Sequence, residues 1–294
     1  DIRIKEKPTG EISLGAGVGT DGGTMGFAVT ENNYMGKGIR LRSSLRLSAD
    51  SVKGQFSVLN PNYKNSDKSI FTNVQSSTTD RLTENGYKLN KTGFTIGTKF
   101  EQYEDLYFSP SINTYFENIE TNSTATDALK KQEGNNFDTS FGYSLDFDKR
   151  NQKFMATDGF RSEFTQRLPL LSDTYSVANY YTYSIYNKLP NDMVTYLSFY
   201  AAAINGITGE DVKISERVKL PRSRLKGFEY SKVGPVDNGN FVGGNYATSL
   251  NLSTTLPMFL QSLDTADVSY FIDLGNVWEV DYSSTIDDSN KLRS

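Results

Sequence analysis

The chain has 294 residues, 36% hydrophobic and 13% aromatic, with 18 Tyr, 18 Phe and one Trp. That aromatic content exceeds what a disordered chain carries, and no run of 18 apolar residues supplies a helical membrane span. Lys and Arg number 31 against 35 Asp and Glu, a net charge of −4 that does not suit a nucleic-acid binder, and the absence of Cys and His excludes disulfides, thiolate nucleophiles, imidazole acid–base chemistry and zinc sites of the usual ligand types.

Asp1 to Lys7 are charged and alternating, without the apolar core of a signal peptide. From there on, period-2 alternation dominates and no long segment keeps a 3.6-residue apolar period. Near the start, Ile12, Leu14, Ala16 and Val18 oppose Ser13, Gly15, Gly17 and Gly19. Next, Ile39, Leu41, Leu45 and Leu47 oppose Arg40, Arg42, Ser44, Arg46 and Ser48. Phe141, Tyr143, Leu145 and Phe147 oppose Ser140, Gly142, Ser144 and Asp146. Towards the end, Val268, Tyr270, Ile272 and Leu274 oppose Ser269, Phe271, Asp273 and Gly275. Turn signals at Asp21-Gly-Gly23, Gly36-Lys-Gly38, Asn85-Gly86, Asp158-Gly159 and Pro190-Asn-Asp192 separate these segments. About thirteen strands follow from these signals, and no linker divides them into two domains.

Alternation alone leaves two architectures open. A soluble sandwich packs its apolar face inward, whereas a transmembrane antiparallel barrel turns that face to lipid and its polar face to the lumen. Three features favour the barrel. The strands are long enough to cross a bilayer when tilted. Tyr34, Tyr63, Tyr103, Tyr107 and Tyr180-Tyr181 are expected at strand ends, where interfacial girdles sit. Short turns alternate with longer polar loops such as Ile119 to Asn136. In a barrel, Arg40, Arg42 and Arg46 form a lumen-facing basic stripe. A one-residue slip would turn all three to lipid at ~2–4 kcal/mol each, on the order of 6–12 kcal/mol together, so the register is tightly set.

The stretch Arg217 to Asn245 differs from the rest. It carries five basic residues in its first ten and lies between strands expected over Met193–Ala203 and Tyr246–Leu256. Loops of this length are usually functional or disordered. Within it, Arg224-Leu225-Lys226-Gly227-Phe228, then Gly234-Pro235 and Gly243-Gly244-Asn245, resembles the signature loop of the outer-membrane barrel-assembly insertases of the BamA type, which tucks back into the barrel. Thr9-Gly10, Leu59-Asn-Pro-Asn-Tyr63, Ala156-Thr-Asp-Gly159 and Phe271-Ile-Asp-Leu-Gly-Asn-Val-Trp278 resemble further motifs of that family, in the same order along the chain.

The resemblance implies an incomplete barrel over residues 9–294 with an inserted loop at 215–245, preceded at 1–8 by the end of a periplasmic POTRA-type domain or a linker. It also implies a wall of sixteen strands, the last three following Ser294. It makes Asp273 and Asn251 the lumen partners of Lys226, with Lys and Asn standing where the family carries Arg and an acid. Leu220-Pro221-Arg222 departs from the usual pair of glycines. The implied function is ATP-free insertion of β-barrel proteins into a bacterial outer membrane. A seam at the first strand, weakened by Gly15, Gly17 and Gly19, would open sideways and template incoming strands. Close packing of those glycines against an inserted loop is the alternative.

The implied partners are unfolded outer-membrane proteins, lipoprotein accessory subunits and outer-membrane lipid. No metal, cofactor or nucleic acid is implied, and no phosphate loop, nucleophile elbow or catalytic carboxylate pair suggests an enzyme. A related polypeptide exporter, a passive porin and a soluble sandwich binding module remain as rivals. Asp80-Arg81 and Asp287-Asp288 read as solvated loop charge.

Overall fold

The computed structural model describes residues 8–19, 22–83, 85–229, 232–256 and 268–282. The segment 1–8, expected as the end of a POTRA-type domain or a linker, and Asp287-Asp288 lie outside these residues, apart from Pro8. The strands, in order, are β1 (Gly10–Gly19), β2 (Gly22–Tyr34), β3 (Ile39–Ser48), β4 (Ser51–Asn60), β5 (Ser69–Arg81), β6 (Tyr87–Tyr103), β7 (Leu106–Thr121), β8 (Gly134–Asp148), β9 (Gly159–Ser172), β10 (Ser176–Lys188) and β11 (Val194–Gly206). A two-residue hairpin, β12 (Val236–Asp237) with β13 (Asn240–Phe241), precedes β14 (Tyr246–Thr255) and β15 (Ser269–Trp278). Apart from that hairpin, thirteen strands form one antiparallel sheet with each strand beside its neighbours in sequence.

The register assigns every side chain to a face. Asn251 pairs with Asp273 and with Ser198, Ser198 with Ser184, and Ser184 with Arg161. Continuing strand by strand, the same face holds Gly142, Asn113, Gln75, Ser44, Ala28 and Ser13. The opposite face is apolar and uncovered: Leu14 is 81% exposed, Val18 93% and Ile272 61%, with Leu45, Phe94, Ile112 and Leu252 also exposed. Asp273 and Asn251, in contrast, are 6% and 5% exposed. A soluble sandwich reverses this distribution. An apolar surface running across all thirteen strands is stable only against hydrocarbon or another apolar body.

The polar face is concave. The segment 207–245 packs through Ile214 on Tyr87 and Leu89 of β6 on one side, lines a cavity there with residues of β2, β3 and β5, and packs on β10, β11, β14 and β15 on the other. One segment meets both flanks only if the sheet curls around it as a barrel wall. Its Val212, Val218, Leu220, Leu225 and Val233 pack on Ala178, Ala202, Ile204, Ala247 and Val277 of the wall, with Phe228, Tyr180 and Tyr200 at the margin. Small alanines on the wall let the inserted chain approach closely, so the largest apolar core among the described residues lies inside the barrel.

Several local expectations are corrected. Tyr180-Tyr181 sit in the middle of β10, where Tyr180 borders the inserted core. Residues Ile119 to Asn136 are not all loop. β7 continues to Thr121 and β8 begins at Gly134, and between them a helical turn, α1 (Asp127–Lys130), starts where the Thr126 hydroxyl accepts the Leu129 N–H at 3.2 Å. Leu129 and Ala125 then bury against Ile119, Tyr87 and Ile214. Arg81 is not solvated loop charge, because its Nε meets Asp50 Oδ2 at 3.1 Å at the end of β5. The long inserted segment also has structure of its own, in the β12–β13 hairpin and an antiparallel bridge between Val218 and Gly244.

Candidate functional site: the segment returning into the barrel

Antiparallel pairing places Asn251 of β14 beside Asp273 of β15 on the inner face. Asp273 collects three donors. The Lys226 backbone N–H donates to Oδ2 at 3.0 Å, Lys226 Nζ lies 3.2 Å from the same oxygen, and Asn251 Nδ2 donates to Oδ1 at 2.8 Å. Asn251 Nδ2 also reaches the Arg224 carbonyl at 2.7 Å. Asn251 thus clasps the loop backbone while Asp273 holds the next turn. A second acid at position 251 could accept but not donate, so the Arg224 carbonyl would lose its partner.

The neighbouring side chains complete the grip. Arg224 Cζ stacks 3.9 Å from the Tyr200 ring centroid, and its Nη2 lies 3.3 Å from Thr182 Oγ1. Lys226 Nζ sits 4.5 Å from the ring centre of Phe271. Leu225 and Pro235 are fully buried. Gly227 has φ +86, Gly234 φ +113 and Gly243 φ +73, the left-handed region where Gly carries no penalty. At Gly244 a Cβ would lie 2.8 Å from Val277 Cγ1, so the return strand needs a residue without a side chain there. Asn245 donates from Nδ2 to Asp281 Oδ1 at 2.8 Å and closes the segment onto the chain after β15.

A second attachment lies nearer the start of the segment, over Val212 to Glu216. The Val212 N–H donates to Asp281 Oδ2 at 2.8 Å, and Ile214 N–H to Gln132 Oε1 at 2.9 Å. Glu216 accepts from Arg167 Nη2 at 2.7 Å and from the Ser176 hydroxyl at 2.6 Å. Lys213 and Lys91 each lie 3.6 Å from Glu117. Burial and the adjacent Arg81 and Arg217 push the Lys219 ammonium down to about 8. None of Lys213, Glu216, Arg167 or Glu117 belongs to a motif or a spacing that marks it in the sequence. The available signals are the charges of Lys213 and Glu216 just before Arg217 and the inner-face parity of Arg167 and Glu117.

The register puts Arg40, Arg42 and Arg46 of β3 on the sheet face that also carries Ser44 and Gln55. Arg40 Nε donates to Asn32 Oδ1 at 3.1 Å, Arg42 Nη1 lies 3.4 Å from Thr30 Oγ1, and Arg46 lines an internal cavity with Arg217 and Lys219. The glycines of β1 are elsewhere, away from the loop anchor. Among the described residues, a Cβ at Gly15 would meet no atom within 4 Å, and one at Gly17 only Thr24 Oγ1 at 3.4 Å. Close packing against an inserted loop therefore does not account for these two. Gly19 ends β1 opposite Gly22.

A family model described as the Omp85 superfamily domain matches residues 33–294. The outer membrane protein assembly factor BamA of Neorickettsia risticii (strain Illinois) is 23% identical over 305 residues, covering 100% of this chain and 40% of that protein. The human sorting and assembly machinery component 50 homolog is 25% identical over 171 residues, covering 54% of this chain and 36% of its own. The chain thus spans less than half the length of these relatives. Among solved structures, the crystal structure of BamA from Haemophilus ducreyi lacking POTRA domains 1-3 superposes with a TM-score of 0.79 at 20% identity, over 94% of this chain and 59% of that one. CdiB from Acinetobacter baumannii gives 0.55 at 10% identity, over 91% and 49%. A sheet with its apolar face outward, an inserted segment gripped from the wall and a family model running over most of the sequence lead to one assignment: the chain belongs to the Omp85 superfamily.

Proposed function

We propose that this chain is the barrel of an outer-membrane assembly factor that folds and inserts other β-barrel proteins into a bacterial outer membrane. The observation that carries the reading is the inserted segment held on Asp273 inside a barrel of this family. A passive porin has no use for such an obstruction in its pore. In this reading Arg224 to Phe228, with Gly234-Pro235 and Gly243 to Asn245, are the signature loop, and Asp273 and Asn251 are its lumen partners. Residues 1–8 are the end of a POTRA-type domain or a linker leading into the barrel. The seam lies at β1, which among the described residues pairs with β2 alone. Its glycines make it a poor partner for a closing strand. The exposed backbone groups of a parted β1 can pair with strands of an unfolded client. Lipoprotein subunits and the surrounding lipid are the remaining partners.

The test is insertion itself. The full-length protein is reconstituted in liposomes, an unfolded outer-membrane protein is diluted in from urea, and its folded, protease-resistant fraction is followed. Faster insertion than into empty liposomes supports the reading. Ion conductance without faster insertion would assign a channel, and delivery of a polypeptide into the vesicle interior would assign an exporter. A disulfide tying β1 to the closing strand should abolish insertion, and unimpaired insertion with the crosslink formed rejects the seam.

A further inference from the structure

A second feature of the lumen lies where the β3–β4 and β5–β6 turns meet the inserted segment. Between wall and segment is a cavity of about 430 Å³, within the size range of small-molecule sites. Four cationic side chains converge on it: Arg46 from β3, Arg81 from the end of β5, and Arg217 and Lys219 from the inserted segment. Among the described residues lining it, Asp50 is the only carboxylate, and it is engaged by Arg81 at 3.1 Å. Arg217 is 6% exposed. Its Nε donates to the Val212 carbonyl at 3.1 Å and its Nη1 to the Tyr282 hydroxyl at 3.2 Å. Its buried Nη2 has no hydrogen-bond partner among the described residues.

Gathering like charges around a cavity whose one carboxylate is already paired costs stability that a bound anion would offset, and an unmet buried guanidinium N–H adds to that cost. The positive field continues into a neighbouring cavity of about 370 Å³, which shares Arg46 and adds Arg42 and Lys53. We infer that the 430 Å³ cavity binds a phosphate-bearing anion, with Arg217 and Arg46 contacting its oxygens and Lys219 supplying a point charge. A single carboxylate would leave most of the charge unmatched. A phosphate or diphosphate carries several negative charges and fits planar guanidinium donors. The group can come from a soluble phosphate or from a lipid headgroup reaching in from the membrane.

Calorimetric titration of inorganic pyrophosphate into the intact protein, folded in a neutral detergent at pH 7 and low salt, tests the site. One saturable site per chain is expected. Arg217→Gln or Lys219→Gln should weaken it tenfold or more, while Lys64→Gln, which removes the same charge from the β4–β5 turn, should not. Each variant's heat-modifiable gel mobility shows whether it has folded, and Arg46→Gln provides a wall-side substitution should a loop variant fail. Repeating the titration with phosphatidylglycerol in the micelles separates the sources. Competition by that lipid assigns a headgroup site, and unchanged affinity assigns a soluble phosphate. No saturable binding, or equal affinity in folded wild type and the Arg217, Lys219 and Arg46 variants, overturns the inference.

Discussion

Lys226 meets Asp273 twice, through its backbone N–H at 3.0 Å and through its ammonium at 3.2 Å. The two contacts differ in weight. The ammonium is on a side chain that is 42% exposed, and its loss leaves Asp273 with the Asn251 and backbone donors. Lys226→Met should therefore cost only about 0.5–1 kcal/mol, and Lys226→Arg less. Asp273→Ala removes the acceptor for the backbone N–H and for a buried Asn251 together, at roughly 2–4 kcal/mol. Trypsin cleavage after Arg222, Arg224 and Lys226 reads loop release: fast in Asp273→Ala and slow in wild type and Lys226→Arg. Equal protection in Asp273→Ala and wild type would show that the anchor lies elsewhere. The exchange Lys226→Asp with Asp273→Lys should not restore protection, because a lysine ammonium cannot accept the backbone N–H.

The glycines of the segment divide by what surrounds them. A Cβ at Gly244 would lie 2.9 Å from the Trp278 carbonyl carbon as well as 2.8 Å from Val277 Cγ1, and both belong to β15. Gly244→Ala should displace the returning strand at about 2–3 kcal/mol. Among the described residues no atom would lie within 4 Å of a Cβ at Gly227, whose φ is +86, so Gly227→Ala costs only backbone strain, roughly 1 kcal/mol. Urea midpoints of the two variants give the ranking, and a larger shift for Gly227→Ala contradicts it.

Strand number and facing were legible because each side chain's environment is set by parity. Once Ile39, Leu41 and Leu45 alternate with arginines, Asp273 and Ser269 fall on a polar face by the same count. Parity does not say which face is buried. That depends on whether hydrocarbon or protein covers the apolar side, and here the exposure of Leu14 and Ile272 decides it. The inserted segment was legible only through its motifs. Its contacts span large sequence separations, as from Glu216 to Arg167 and from Ile214 to Gln132, and no local periodicity encodes them. The pairing of Arg81 escapes local pattern for the same reason, since its partner Asp50 lies 31 residues away.

If β1 is a weakened seam, strengthening it should separate stability from activity. Alanine at Gly15 and Gly17 fits without a severe clash and should add about 0.5–1 kcal/mol each to the sheet. The double variant is predicted to resist heat better than wild type while inserting client proteins more slowly in liposomes. Faster or unchanged insertion in a demonstrably more stable variant removes the glycines from the gating argument.

The charge on Lys219 links the lumen to pH. Its ammonium titrates near 8, below the ~10.4 of an unfolded chain, because burial, Arg81 and Arg217 all disfavour the proton. Arg46 lines the same cavity, and Asp50, already paired with Arg81, is the opposing charge there. Between these two pKa values the unfolded chain binds more protons than the folded one, so stability rises with pH, by on the order of 1 kcal/mol per unit. Below about pH 8 both states are protonated and the penalty is present in full. Lys219→Met should therefore raise the urea midpoint at pH 7 and flatten the rise between pH 8 and 10. Bound anion supplies the missing counter-charge, so millimolar pyrophosphate should also flatten the wild-type curve. A wild-type curve parallel to that of Lys219→Met over this range would mean that the ammonium keeps its ordinary affinity for the proton and that the cavity is not the positively charged, desolvated place its lining implies.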